Sequence, residues 1–178
     1  MNFFRKMKGT TQSPPRVGIL EVAWSWLGAF LGIALVGLVQ SLFVDQVAQG
    51  LLIGSFGATA VLVYGAIRSP LAQPRNVLGG HIVSAFIGVF SYQLIGEITW
   101  LAAAMAVSTA IAVMHMTKTL HPPGGATALI AVIGGDSVHS MGYFYVFIPV
   151  GLGAVILLGV ALLVNNVAKN RQYPEFWF

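Results

Sequence analysis

Apolar residues run along this chain in blocks, interrupted by short stretches that hold the prolines, many glycines and nearly all the charge. The blocks fall at 18–40, 51–67, 77–96, 98–116, 123–135 and 142–166. A membrane span needs about 20 apolar residues, because roughly 30 Å of hydrocarbon is covered at 1.5 Å per residue. Four blocks are long enough to cross as plain helices, whereas the second and fifth are short.

The polar interruptions give a topology. If all six blocks cross with the N-terminus inside, Arg5, Lys6, Lys8, Arg16, Arg68, Arg75, Lys118, Lys169 and Arg171 all lie on the cytoplasmic side, as the positive-inside rule requires. Asp45, Glu97 and Asp136 then fall in the three outer loops. Re-entrant short blocks would move Arg68, Arg75 and Lys118 outside, so six crossings fit better.

Composition agrees with a membrane protein. The 178 residues are 57% hydrophobic and 8% charged, against about 25% charged in soluble domains. No cysteine is present, which excludes disulfides, thiolate metal sites and cysteine catalysis. The basic N-terminus has no apolar core before Pro15 and reads as a solvated tail, not a cleaved presequence. The net charge of +4 informs topology and lends no support to nucleic-acid binding.

An internal repeat lies in the short blocks. Gly57-Ala58-Thr59-Ala60 matches Gly125-Ala126-Thr127-Ala128 at an offset of 68 (59 to 127), and Ser69 matches Ser137 at the same offset. The chain therefore reads as one membrane domain: a tail (1–16), repeat one (17–97), repeat two (98–168) and a second tail (169–178). Three crossings per unit is an odd number, so the second unit is inverted. The expected fold is an all-α polytopic membrane protein of six segments in two inverted three-segment repeats, the second and fifth being broken half-helices.

The break is sharpest at His121-Pro122-Pro123-Gly124-Gly125. A residue before proline is pushed out of the helical region, so His121 and Pro122 are expected to be extended and Pro123 to start the helix. Residues 119–123 extended cover roughly 16 Å and residues 124–135 helical roughly 18 Å, which puts the break near the midplane. In the first half the matching helix is expected at 56–67, with Ser55 as its cap. The two N-termini would converge and turn unpaired N–H groups toward one point. The expected small-anion site comprises Ser55, Phe56, Gly57, Ala58 and Thr59 with His121, Pro122, Pro123, Gly124, Gly125, Ala126 and Thr127. The competing reading of His-Pro-Pro-Gly-Gly is a tight turn whose glycines merely pack.

No Asp, Glu, Lys or Arg lies well inside a block, so an obvious carboxylate proton carrier is missing. His81, after Gly79-Gly80, is the candidate proton carrier, against a bland reading as a hydrogen-bonded buried imidazole. Arg68, just before a proline-stiffened loop at 69–76, and Arg75 within it could line an anion vestibule, or simply anchor the topology. Asn76 is placed to cap the third segment. Trp24, Trp26, Trp100 and Trp177 lie near expected interfaces, and Gly28-x-x-x-Gly32 allows close helix packing. His115 and His121 are poorly spaced for a metal, so no metal and no cofactor is expected. Paired carboxylates and nucleophile–base pairs are missing too, so an enzyme is not expected.

The stretches H-P-P-G-G-A-T-A-L (121–129), S-F-G-A-T-A-V-L (55–62) and S-P-L-A-Q-P-R-N (69–76) followed by G-G-H (79–81) resemble the HPP family of bacterial and plastid membrane proteins. The resemblance runs from about residue 17 to the end without departure in these motifs. It implies four full helices, here with two broken ones, and members in cyanobacteria and chloroplasts are associated with nitrite transport. Residues and resemblance together lead to the expectation of a transporter or channel for a small monovalent anion, nitrite first. It would sit in a bacterial inner membrane with both termini cytoplasmic, as a homo-oligomer. The rival expectation is a membrane sensor or scaffold that binds an anion or lipid head group and moves nothing.

Overall fold

The computed structural model describes residues 3–7, 11–43 and 49–178, and its regular elements are helical throughout. They are α1 (Phe3–Lys6), α2 (Ile19–Phe43), α3 (Gln49–Ala60), α4 (Pro74–Ile95), α5 (Thr99–Met116), α6 (Pro122–Ile133), α7 (Asp136–His139) and α8 (Leu152–Val167). A wide π-type turn, Val61–Gly65, prolongs α3, and another, Val146–Gly151, leads into α8. Among the described residues four stretches are long and apolar enough to cross a membrane: Ile19–Val39, Pro74–Ile95, Thr99–Met116 and Val146–Val167. Two shorter apolar helices, Gly54–Gly65 and Pro122–Ile133, occupy the second and fifth places. Lys8 and Asp45, used above for topology, lie outside the described residues.

Large apolar side chains, among them Leu20, Trp26, Phe30, Phe86, Trp100 and Leu163, face outward. That surface would be unstable in water and is what a lipid surrounding demands. The interior is built from small residues instead. On α4, Gly80, Ser84 and Gly88 recur every fourth position and meet Gly124 and Ala128 of α6. A methyl placed on Gly88 would lie 2.6 Å from the Ala128 carbonyl oxygen, and one on Gly124 2.8 Å from that of Gly80. Backbones approach this closely only where side chains are missing, the usual device of packed membrane helices. On α5, Ala102, Ala106 and Ala110 form a second fully buried stripe, packed with Met114, Ala128 and Val132.

The Gly28/Gly32 pair has a definite partner, the Tyr64 ring, which would lie 2.6 Å from a Cβ on Gly28. Its hydroxyl crosses the bundle to donate to the Leu157 carbonyl at 2.9 Å. Tyr64 thereby ties α2 to α8 from the π-type turn after α3.

Three helix starts differ from expectation. The first short helix does not begin after Ser55 but at Gln49, so Ser55 is inside α3 and caps nothing. No proline follows Ser55, and nothing in 49–56 obstructs helical geometry. The second short helix begins at Pro122, one residue earlier than expected, after an extended His121 (φ −141°, ψ 105°). The bias against helical geometry before a proline is outweighed there by the Gly124 N–H closing on the His121 carbonyl at 2.8 Å. The third segment starts at Pro74 with Gln73 extended before it, as a proline at the first helical position prefers. Asn76 is consequently inside the first turn, and its amide donates to the Leu120 carbonyl at 2.9 Å.

Candidate functional site

These starts decide what lies between the short helices. Within α3 the N–H groups of Phe56, Gly57 and Ala58 belong to the helical ladder and are not free. At α6, Pro122 and Pro123 carry no N–H, and the Gly124 N–H is taken by His121. The expected pair of donor-rich N-termini is therefore replaced by side-chain chemistry.

That chemistry joins both copies of the repeated motif. Thr59 Oγ1 lies 2.7 Å from His81 Nε2 and 3.0 Å from His121 Nε2. His81 Nδ1 lies 2.8 Å from Thr127 Oγ1, and His121 Nδ1 lies 2.8 Å from the Leu71 carbonyl oxygen. Thr59, His81, His121 and Thr127 are each 0% exposed, so the cluster is sealed. The His81 ring stands edge-on to Phe56 and His121, with centroids 5.2 and 5.0 Å away. Gly80 leaves room for this meeting, since a Cβ there would lie 2.9 Å from the Thr119 carbonyl oxygen.

The hydrogen positions follow from one carbonyl. Leu71 O can only accept, so His121 Nδ1 carries the proton. In neutral His121, Nε2 is then bare and accepts from the Thr59 hydroxyl. Having spent its proton, Thr59 accepts from His81 Nε2–H, and His81 Nδ1 accepts from Thr127. The result is a directed chain, Thr127 to His81 to Thr59 to His121 to Leu71 O. Each threonine also has a helical carbonyl in reach: Ser55 O at 3.1 Å from Thr59 Oγ1, and Pro123 O at 3.3 Å from Thr127 Oγ1.

The other expected site residues divide. Ser55 and Pro123 contribute those carbonyls, and Phe56 contributes its ring, which also fills the space over Gly153. Gly124 packs against α4. Gly57 has nothing within 4 Å of a built Cβ, and Gly125 has only Val107 Cγ1 at 3.9 Å, so neither glycine is demanded by crowding. Ala58 and Pro122 are exposed and Ala126 is half-buried. Arg68 lines an open pocket of about 480 Å³ with Ser69, Glu21 and Arg171. Arg75 is committed elsewhere, donating to the Thr117 carbonyl at 2.7 Å.

A clasp formed by the C-terminal segment had no sequence signal. Arg171, expected in the cytoplasmic tail 169–178, is 6% exposed. It pairs with Glu21 of α2 at 2.7 Å and donates to Asn165 Oδ1 at 2.9 Å and Ser25 Oγ at 2.8 Å. Tyr173 donates to the Ala72 carbonyl at 2.6 Å, and the Glu175 N–H to Gln73 Oε1 at 2.9 Å. Burial pushes the Tyr173 phenol up from its ordinary range, so it remains a neutral donor. The clasp thus holds the loop that contains Leu71, the end of the histidine chain. Partners 150 residues apart leave no periodic trace to read.

Comparison with known proteins decides the family. The family description "HPP, transmembrane region" matches residues 14–174. The chain belongs to the HPP transmembrane family. A transmembrane protein of Dictyostelium discoideum is 46% identical over 181 residues, covering 100% of this chain and 58% of its own length. A second transmembrane protein of that organism is 42% identical over 183 residues, covering 100% of this chain and 64% of its own. The HPP chain described here thus spans about three-fifths of these curated relatives. Both come from a eukaryote, so the matches do not restrict the family, or this chain, to a bacterial membrane. No solved structure matches.

Proposed function

We infer that this HPP protein is a transporter or channel for a small monovalent anion, with the histidine–threonine cluster as its binding point. The observation that carries this reading is that both repeated threonines meet one imidazole, fully buried, inside a set of membrane-length helices. Polar groups buried at membrane depth are costly and cluster on transport paths. The cluster holds hydroxyls and imidazoles and no carboxylate, which suits an anion better than a cation. Nitrite is the first candidate, on the family resemblance described above.

The same reading takes the chain as two inverted three-segment repeats. Its support is the equivalence of Thr59 and Thr127, each on a short helix and each bonded to His81. On this reading both termini are cytoplasmic, supported by the positive-inside distribution of the basic residues. A pathway walled by so few segments is completed by further copies of the chain, so a homo-oligomer is part of the proposal.

The test is nitrite uptake by liposomes holding the purified protein, with protein-free liposomes subtracted. Uptake that His81→Leu abolishes in a still-folded protein supports the assignment. Wild-type protein that moves neither nitrite nor any other small monovalent anion defeats it and favours a membrane sensor or scaffold.

A further inference from the structure

We propose that the cluster of Thr127, His81, Thr59 and His121 is a proton relay that loads one proton with each anion, making transport electroneutral. The proposal rests on the transport reading above and adds the coupling ion. Its basis is the pair of spare carbonyls. A buried histidine with a merely structural role needs one satisfied arrangement. Here each imidazole has two.

When His121 is neutral, Thr59 gives its proton to Nε2. When His121 is protonated there, Nε2–H donates instead, and the Thr59 hydroxyl turns to Ser55 O at 3.1 Å while His81 keeps its Nε2–H, or to the bare His81 Nε2 at 2.7 Å once that proton has moved on. Likewise, protonation of His81 at Nδ1 turns the Thr127 hydroxyl to Pro123 O at 3.3 Å. In neither case is a donor left without an acceptor, which removes one of the costs of adding a proton inside a membrane. The two switching threonines are the matching residues of the repeated motif.

Transfer along the chain balances bond by bond. A hydronium ion or the protonated substrate acid gives its proton to Thr127 Oγ1. The former Thr127 O–H proton forms His81 Nδ1–H; the His81 Nε2–H bond breaks to form a new Thr59 O–H. The former Thr59 proton forms His121 Nε2–H. One proton has entered and one positive charge has appeared on His121, whose Nδ1–H still donates to Leu71 O. A buried imidazolium demands an anion beside it, so proton and anion enter together.

The cluster is packed by Phe56 and Thr59 from α3, Thr127 from α6 and the Leu71 loop, while Tyr145 donates to the Thr127 carbonyl at 3.2 Å. His81, His121 and Tyr145 are its titratable groups, and among the described residues no Asp, Glu, Lys or Arg hydrogen-bonds any of the three.

The experiment follows nitrite uptake and internal pH together, with trapped pyranine in liposomes, with and without valinomycin and potassium. The expected result is acidification in step with uptake, one proton per anion, at a rate that valinomycin leaves unchanged. Thr59→Ser keeps this coupling, and Thr59→Val, which keeps the shape but cuts the chain, loses it. Nitrite that enters alone, faster with valinomycin, overturns the relay while leaving the transporter reading intact. A Thr59→Val protein coupled like wild type also overturns it. A wild type that moves no anion removes both. A readout independent of flux is nitrogen-15 NMR of histidine-labelled protein. The relay requires His81 protonated at Nε2 and His121 at Nδ1; the same tautomer on both refutes it.

Discussion

Removing the Arg171 guanidinium is the sharpest test of how the tail holds the fold. The Arg171 side chain is 1% exposed and that of Glu21 29%, and the guanidinium reaches both carboxylate oxygens, at 2.7 and 3.1 Å. Arg171→Met leaves Glu21 without its partner and Asn165 Oδ1 without its donor. Breaking a buried pair by deleting one member costs about 3–5 kcal/mol. Water can return to the part-exposed Glu21, so the lower end, about 3 kcal/mol, applies. That is about a hundredfold in the unfolding equilibrium. Glu21→Gln leaves the buried guanidinium an amide oxygen in place of its counter-charge and should cost about 3 kcal/mol. The double variant strands no charge and should be less destabilised than the two single losses added together, by about 1.5 kcal/mol or more. Unfolding in mixed detergent, followed by the fluorescence of the four tryptophans, measures all four corners of this cycle. Coupling below about 0.5 kcal/mol, the level of independent sites, would refute the clasp as a specific anchor of α2.

Three further substitutions probe the packing. Gly88→Ala places a methyl 2.6 Å from the Ala128 carbonyl oxygen and should cost about 1–3 kcal/mol, whereas Gly57→Ala meets nothing within 4 Å and should fold as wild type; equal melting of the two proteins would contradict the α4–α6 contact. Tyr64→Phe removes the hydroxyl bond to the Leu157 carbonyl and should cost about 1 kcal/mol, read in the same unfolding assay.

Much of the architecture was legible without coordinates, because span length is set by bilayer thickness and the local alphabet of Pro and Gly marks helix breaks. The short second and fifth segments and the extended His121 all follow from that. The repeat at 59 and 127 also pointed to two residues that the structure brings to one imidazole, though the geometry differs from the one expected. Sequence reasoning expected backbone N–H groups at two helix starts. The structure carries α3 past Ser55 and fills the first turn of α6 with prolines, so threonine hydroxyls take that place. His81 emerged as a single candidate, while its link to His121 did not, since 40 residues separate them and no helical spacing connects residues on different elements.

The sequence alone determined that this chain lives in a membrane, how many apolar segments it has, where two of them are short and which motif recurs. Those properties depend on composition and on interactions within a few residues. Only tertiary structure decided that Gly80 and Gly124 let α4 and α6 meet, that Leu71 O orients a chain of four side chains, and that Arg171 turns inward to Glu21. Each of these depends on distant residues being brought within about 3 Å, a distance set by the packing of whole helices.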